Sequence, residues 1–524
     1  MPRRKRGPKP RHQSLESAAS ERGFASPVHT DCAPQHVLAT PGISGPVEAA
    51  GRRTEPVFVV AQTGSLALCH QTLLSTIAGE GITPQETVKS CIGIYMESVF
   101  PLLPIICEAA LRSQASLILP SCMTGMSPPQ NTLTPELVAS VRTYALTTAL
   151  CALVAHISPC NRYPQDDTIP SLFLESSQSM LHAFLGYDIT YPTSASLVIR
   201  IFQASCYQMM GNSCLSWHKI NEAVRLAYQM RLHVEDSYEG LDPVEAKLRR
   251  NAFWYLYSAD RSTSLLNGTK QGLMDIRLQG PLTTAFGATE CAPLLDQHRP
   301  ENEGRFEEYL MAGFHKDHEV WRHGFGLLFD LDLFLAANSR TSNGQSLDVA
   351  QMNSLTGSYL GFSSILDDLP EFLVSPATIC NFDKVCEEHQ RRAFWIQKTN
   401  IALSYHFLRM LILNRFAAVE LLSLIGLSDG QLSIDWKKVE IAHEVLNLVA
   451  SVPLEALLAN GEPGAEKLRY ICATLLEVMQ GQESVQIVTR AKKHFTALLD
   501  HLSKLNSRVS EKLAQLYNTP ETSS

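Results

Sequence analysis

Apolar residues recur every three or four positions along most of this chain, starting near residue 85. The stretch Thr83–Glu86 precedes the first such run and combines an N-cap threonine, a proline at the first helical position and a capping-box glutamate. Two prolines, Pro101 and Pro104, follow the run and cannot continue a helix. The pattern therefore predicts a helix from about residue 84 to residue 100, with its apolar face formed by Val88, Cys91, Ile92, Tyr95, Val99 and Phe100.

The same period continues through later segments, with few signals for strands. Helices are predicted over residues 135–157, 195–210, 218–232, 243–266, 305–337, 349–374, 383–425, 435–458, 465–480 and 484–517. The expected fold class is therefore all-α. The helices are expected to form a large multi-helical domain, and a division into two helical halves is one arrangement that fits the pattern. Weak patterns at 267–304 and 338–348 mark linkers, and a boundary between the halves falls near 290–304.

The first 55 residues lack any period and are rich in Pro, Ser, Gly, Ala and Thr. This composition predicts a disordered tail. The resulting division is a tail over 1–55, a first helical domain over 56–290, and a C-terminal helical region over 291–524 that packs on it.

A seven-residue repeat runs along the last predicted helix. Its first row is Val488, Phe495, Leu502, Val509 and Leu516, and its second row is Ala491, Leu498 and Leu505 before Lys512 interrupts it. Such a stripe is typical of a coiled coil. A long helix that packs on the chain's own core shows the same stripe. Few acids face the lysines beside it, so both alternatives stay open at this stage, with the packed helix favoured.

Charge is distributed unevenly along the chain. The 44 Lys and Arg residues face 52 Asp and Glu residues, for a formal net charge of −8. Six cations lie within the first twelve residues, at Arg3, Arg4, Lys5, Arg6, Lys9 and Arg11. Subtracting these six leaves 38 basic against 52 acidic residues, a charge of −14. The body should not by itself bind a polyanion, so any such contact begins in the tail.

Several classes of protein lack support in the sequence. No apolar region follows the basic N-terminus, and no uninterrupted apolar run reaches the roughly 18 residues of a membrane span. The stretch Tyr144–His156 is shorter and predicts a buried helix. Thirteen cysteines are scattered along the chain, many in apolar segments, which predicts reduced core thiols.

Metal and catalytic motifs are also missing from the sequence. It contains no C-x2-C, and its closest cysteine pair, Cys380 and Cys386, has no second pair nearby. His315 and His318 share a helix face that is expected to be solvated. No G-x-G-x-x-G, P-loop or G-x-S-x-G occurs. We therefore expect no enzyme activity, no metal and no cofactor.

Three segments resemble the fungal-specific transcription factor domain, the middle homology region of binuclear zinc-cluster regulators. NEAVRLAYQMRLH (Asn221–His233) is similar to the family's A-x-R-x-A-x-x-L-G-L-H, and KLRRNAFWYLYSADR (Lys247–Arg261) to its R-R-x-x-F-W-x-x-x-x-x-D-R helix. YMESVFPLLP (Tyr95–Pro104) resembles the entry helix Y-F-x-x-V-x-P-x-x-P. The resemblance covers about residues 88–285. The family-motif residues carried over are Arg225, His233, Arg249, Arg250, Trp254, Asp260 and Arg261.

One departure concerns the end of the Asn221–His233 helix, where Met230 and Arg231 stand in place of the usual Leu-Gly. Without that glycine the helix is expected to run on. The motif residues themselves are interpreted as structural. Their charged side chains are expected to form salt-bridged helix faces worth a few tenths of a kcal/mol each. Trp254 is expected in the core.

The resemblance implies a nuclear regulator of a fungal metabolic gene set, of which a secondary-metabolite set is one candidate. The tail resembles the basic linker that follows the zinc cluster in this family, but the six cysteines that would precede it are not in this sequence, so zinc is expected only with an upstream cluster. Three interpretations of the tail stay open. It is the remnant of a zinc cluster that was lost or whose start codon was misassigned, or a nuclear targeting signal, or an arm that contacts phosphates. Expected partners are other transcription regulators, a second copy, or DNA held weakly and without sequence preference. The alternative is a helical repressor or co-regulator that binds a partner regulator or a small metabolite.

Overall fold

The computed structural model describes residues 63–119, 135–157, 168–267, 292–340, 349–378, 384–481 and 484–505. By its contacts the chain divides into residues 1–55, which lie outside the described residues, and a compact unit of residues 56–524. The predicted disordered tail and its six cations therefore lie outside the description, as do Val509 and Leu516 of the C-terminal stripe. The predicted division of the helical body near residue 290 stays a prediction.

The described residues form helices and no strand, which confirms the all-α fold class. The α-helices are α1 Thr63–Gly79, α2 Pro84–Ile94, α3 Glu108–Gln114, α4 Pro135–Ile157, α5 Thr168–Ala183, α6 Leu185–Thr190, α7 Ser194–Met209, α8 Ser213–Gln229, α9 Pro243–Asn267, α10 Phe306–Arg340, α11 Val349–Ser363, α12 Glu371–Val374, α13 Lys384–Ala418, α14 Gln431–Ser451, α15 Leu454–Ala459, α16 Gly461–Gly481 and α17 Val485–Lys504. A π-helical turn, Tyr95–Val99, extends α2.

The predicted capping box at the start of α2 is present. The Glu86 amide donates to the Thr83 hydroxyl at 3.2 Å, and the Thr83 amide donates to the Glu86 carboxylate at 3.1 Å. Two orphan amides at the N-terminus of α2 are thereby satisfied, as the sequence pattern predicts.

Four helices, α1, α3, α5 and α6, lie outside the predicted segments, and two of them, α3 and α6, are short. In α5 the Ser176–Ser177 pair interrupts the apolar pattern, yet both serines are fully buried. The Ser177 hydroxyl donates to the Ala145 carbonyl of α4 at 2.9 Å, and Ser176 lies 3.3 Å from the Cys69 sulfur of α1. Their partners are remote in sequence, so the local pattern did not indicate a helix.

The helix α8 does not run on past its motif. It ends at Gln229, and Arg231 takes the left-handed backbone conformation, with φ 56°. The Arg231 amide donates to the Tyr228 carbonyl at 2.9 Å and the Leu232 amide to the Ala227 carbonyl at 3.0 Å. These two bonds form a Schellman motif, which satisfies the last carbonyls of the helix. Arg231 thus adopts the conformation that the family's glycine would favour.

One continuous apolar core extends from Leu66 to Leu502. In the first part α4 packs on α5 and α7, and α7 on α8 and α9. In the second part α13 packs on α10, α14 and α16, while α17 packs on α14 and α16. Within α17 the side chains of Ala491, Phe495, Leu498 and Leu502 are fully buried. For the described part of the C-terminal stripe, the packed-helix alternative therefore holds.

The helix α4 contains the one stretch among the described residues that is long and apolar enough to span a membrane. Glu136–Ile157 has a mean hydropathy of 1.6, yet 67% of that window is buried against other helices. A core helix passes the same test of length and composition, so the stretch is weak evidence for a membrane span.

Close packing of α10 on α13 fixes the register of the two longest helices. A side chain at Gly313 would meet the Gln397 amide of α13, and one at Gly324 would meet Leu408. The Gln397 amide donates to the carbonyls of Pro101 and Leu310, at 2.8 and 2.7 Å. The helix α10 also packs on α9, so it contacts helices of both the first and the second part of the core.

Candidate functional site

The paired arginines at the start of α9 connect that helix to its neighbours. Arg249 forms an ion pair with Glu245 at 2.7 Å, and the same carboxylate accepts from the Ser194 amide at 2.9 Å and the Ser194 hydroxyl at 2.6 Å. Glu245 therefore caps the N-terminus of α7, where a negative charge is favourable. Arg249 holds that carboxylate in place.

Arg250 reaches the turn that follows α8. Its guanidinium pairs with Glu235 and lies 3.9 Å from the ring centroid of Tyr238. The Tyr238 hydroxyl in turn donates to the Leu232 carbonyl at 2.7 Å. The second arginine thus stabilises the connection between the two motif helices.

The Asp260–Arg261 pair differs from the expectation of salt-bridged helix faces. Asp260 is 2% exposed and Arg261 is fully buried. The Arg261 guanidinium lies 3.3 Å from the ring centroid of Tyr257 and 4.7 Å from that of Phe325 on α10. The small free energies that exposed ion pairs contribute do not apply to this buried site. Removing the partner of a buried charge is strongly destabilising.

The remaining motif residues lie on α8, on α9 and in the turn that follows α8. Trp254 is 2% exposed and meets Tyr257 edge to face, with ring centroids 5.3 Å apart. Arg225 is exposed on α8, and the half-buried His233 lies 5.5 Å from the Tyr228 ring. The structure does not gather the motif residues into one site.

A cavity of about 170 Å³ lies where the two parts of the core meet. Its walls come from α4, α7, α8 and α9 on one side and from α10, α13 and α16 on the other. The apolar part of the wall is formed by Val99, Leu103, Leu153, Ile220, Tyr255 and Trp321. Sequence reasoning did not identify this cavity, because its walls are separated by more than 300 residues.

An ionic cluster forms the polar end of the cavity. The Ser404 hydroxyl donates to Asp317 Oδ1 at 2.9 Å and accepts from Lys467 Nζ at 2.9 Å, and Lys467 also donates to Asn400 Oδ1 at 3.0 Å. Burial raises the pKa of Asp317 and lowers the pKa of Lys467, since each charge has left water. The opposite charges of the two groups partly offset both effects.

The histidines of α10 do not lie on a solvated face, so that expectation was wrong. His318 is 3% exposed and lines the cavity, while His315 is half-buried. Burial lowers the pKa of His315 to about 4 and that of His318 well below its ordinary value of 6.5. A signal for this was available, because His318 continues the apolar stripe of Phe314 and Trp321 at helical spacing.

His318 is held in the cavity wall by its neighbours. Its Nδ1 lies 2.6 Å from the Ser258 hydroxyl of α9, and the Phe314 ring meets it edge-on at 4.3 Å. Its Nε2 is buried and has no hydrogen-bond partner among the described residues. The described residues also contain no group of three or more potential metal ligands.

A known protein family matches the region of the chain that forms most of the first part of the core. Residues 92–279 match the family described as the fungal specific transcription factor domain. This chain carries a fungal specific transcription factor domain. The family resemblance of the three sequence segments is thereby confirmed, and the chain is a regulator of transcription. No curated protein sequence matches the chain.

The fungal transcription factor domain supplies one side of the cavity. Its match begins within α2 and extends past α9, whereas α10, α13 and α16 follow it in the chain. The family consists of transcription regulators rather than enzymes, and its members are in general nuclear proteins. His318 and Lys467 therefore lie beyond the domain but face its helices.

Proposed function

We propose that the chain regulates a fungal metabolic gene set from within the nucleus, with a secondary-metabolite set as one candidate, and that it has no enzymatic activity. The observation that carries this proposal is the match of residues 92–279 to the fungal specific transcription factor domain. The helical domain serves as a regulatory module, and the basic tail directs the chain to the nucleus.

Sequence-selective DNA contact comes, in this proposal, from a partner regulator or from a module outside this sequence. The support is electrostatic, because six cations lie in the first twelve residues and the rest of the chain carries a charge of −14. Contacts from such a tail to phosphates are blind to base sequence and weaken with salt. A co-regulator that represses by binding its partner is the second candidate.

Localisation tests the nuclear role. The full chain with a fluorescent tag is expected to accumulate in fungal nuclei, and replacement of Arg3, Arg4, Lys5, Arg6, Lys9 and Arg11 by Gln is expected to abolish this. Lys492→Gln with Lys493→Gln, two exposed lysines of α17, is the control and should leave localisation intact. Exclusion of the unaltered chain from nuclei would contradict the proposal.

DNA binding tests the role of the tail. The purified chain is expected to bind duplex DNA without sequence preference. A plot of the logarithm of the association constant against the logarithm of the salt concentration should have a slope no steeper than about −5, because the tail has only six cations. The Gln-substituted tail should lose this binding. Tight sequence-selective binding at about 150 mM salt would instead show that the chain reads DNA itself.

A further inference from the structure

We propose that the cavity between α9, α10 and α16 binds a small, uncharged, mainly apolar molecule whose carbonyl or hydroxyl oxygen hydrogen-bonds to Nε2 of His318. This goes beyond the proposed gene-regulatory role, because binding at the cavity is measurable on the purified chain whatever genes it controls.

The imidazole of His318 has one nitrogen without a hydrogen-bond partner among the described residues. Buried polar atoms in folded proteins nearly always have a hydrogen-bond partner, and each exception calls for a reason. His318 is 97% buried and is one of the residues that line the cavity, and its Nε2 has no hydrogen-bond partner among the described residues. An oxygen atom of a ligand in the cavity would provide that partner.

The neighbours of His318 fix the orientation of its imidazole. Ser258 contacts Nδ1 at 2.6 Å, and Phe314 packs against the ring at 4.3 Å. Burial lowers the pKa of His318 well below 6.5, so the ring is neutral at physiological pH. A neutral imidazole with Nδ1 engaged offers one donor or acceptor at Nε2, according to its tautomer. Both a carbonyl and a hydroxyl oxygen can match it.

The size and polarity of the cavity suit a small, mainly apolar molecule. An apolar cavity of about 150 Å³ holds a benzene-sized molecule, so about 170 Å³ admits a single ring with a small substituent. Leucines, Ile220, Tyr255 and Trp321 surround most of it. Binding sites for small molecules commonly combine such apolar walls with a few fixed polar groups.

The charged groups in the cavity wall oppose each other. Asp317 and Lys467 are the carboxylate and ammonium groups of the wall, and Ser404 links them through bonds of 2.9 Å on each side. Because the two charges offset each other, a charged ligand would gain no counterion and would lose its hydration. The site therefore favours an uncharged ligand.

The probes are acetophenone, which carries a carbonyl, and ethylbenzene, which has nearly the same shape without it. Ligand-observed NMR titration of the full chain is expected to show saturable binding of acetophenone, at least fivefold tighter than that of ethylbenzene. Absence of saturable acetophenone binding up to its solubility limit would overturn the proposal, as would equal affinity for the two probes.

Variants assign the preference to one atom. His318→Phe keeps a ring of similar shape but removes both nitrogens, so acetophenone should bind no tighter than ethylbenzene. His494→Phe is the matched control, because His494 is 4% exposed but lies outside the cavity. It should keep the fivefold preference. A preference that survives His318→Phe would refute the assignment.

A cavity-filling variant covers the case in which His318→Phe does not fold. Ser262 lines the cavity and is half-buried, so Ser262→Leu adds volume where the wall can adjust. Circular dichroism checks the fold. The variant is expected to weaken acetophenone binding at least fivefold, and unchanged affinity in a folded variant would place the binding elsewhere.

Discussion

Arg231 is one of two described non-glycine residues with a positive φ, and it ends α8. An L-residue in this conformation is strained by about 1 kcal/mol, whereas glycine is not. Arg231→Gly is therefore expected to raise the free energy of unfolding by about 0.5 to 1 kcal/mol in urea denaturation. Arg225→Gly is the matched control, since an exposed glycine inside the same helix should cost about 1 kcal/mol. Equal destabilisation by both variants would contradict the prediction.

Glu466 is a second residue with a testable energetic role. Its carboxyl accepts from the Gln208 amide at 2.9 Å, and burial raises its pKa from 4.5 to about 7. The Glu466 carboxyl stays protonated up to about pH 7 in the folded chain, whereas in the unfolded chain it loses its proton near pH 4.5. The stability contribution of Glu466 is therefore complete below pH 4.5 and is lost as the pH rises to about 7.

Glu466→Gln removes this dependence and keeps an acceptor for Gln208. The unfolding free energy of the variant, relative to the unaltered chain, should rise by about 3 kcal/mol between pH 4.5 and pH 7.5. Glu440→Gln provides a control of opposite sign. The hydrogen bond from Lys437 lowers the pKa of Glu440, and that carboxylate is partly exposed, so a smaller change in the other direction is expected. A pH-independent difference for Glu466→Gln would contradict the prediction.

At the scale of elements, α17 shows how a heptad stripe can serve the chain's own core. Leu502 is fully buried near its end, whereas Val485 at its start is 78% exposed. Leu502→Asp places an unpaired charge in the core and should lower the free energy of unfolding by about 3 to 5 kcal/mol. Val485→Asp is the control and should change it little.

Thermal unfolding and light scattering together measure the outcome for α17. The packed helix predicts a lower melting temperature for Leu502→Asp with no change in the mass of the folded species. A fully stable variant that converts from dimer to monomer would show that the stripe joins two chains instead.

At the scale of the whole molecule, several buried histidines couple folding to pH. Burial lowers the pKa of His315, His406 and His494 to about 4, and it also lowers the pKa of His318 well below 6.5. The unfolded chain takes up these protons near pH 6.5, but the folded chain does not. Stability should therefore fall as the pH drops from about 6.5 to 4, by up to about 1.4 kcal/mol per pH unit for each group.

The expected measurement is a series of thermal unfolding curves between pH 7.5 and pH 4.5. The melting temperature should fall on acidification, although Glu466 acts in the opposite direction. His406→Gln should reduce the slope of stability against pH by about one proton, since burial is the main cause of its lowered pKa and Arg409 adds to it. A slope that this variant leaves unchanged would contradict the assignment.

The sequence by itself determined the features that depend on a few neighbouring residues. The all-α class, the capping box at Thr83 and the extent of α9 follow from helical periodicity and end signals, which are local. The resemblance to the fungal transcription factor domain likewise came from short local segments, of which Lys247–Arg261 lies within one helix. These patterns can be recognised without knowing the tertiary contacts, because the helix period and the helix caps depend on adjacent backbone groups.

Only the tertiary structure decided which polar residues leave water. No residue adjacent in the sequence indicates that the Arg261 guanidinium stacks on the Phe325 ring. The same holds for the contacts that the serines of α5 make with α1 and α4. The sequence shows no second ligand pair for His315 and His318 and therefore predicts a solvated face, although the helical register of His318 places it on the apolar stripe of Phe314 and Trp321. The cavity it lines exists only because α7 and α9 meet α10 and α16. Burial is a property of the packed elements, and local patterns carry no information about contacts that the chain closes over hundreds of residues.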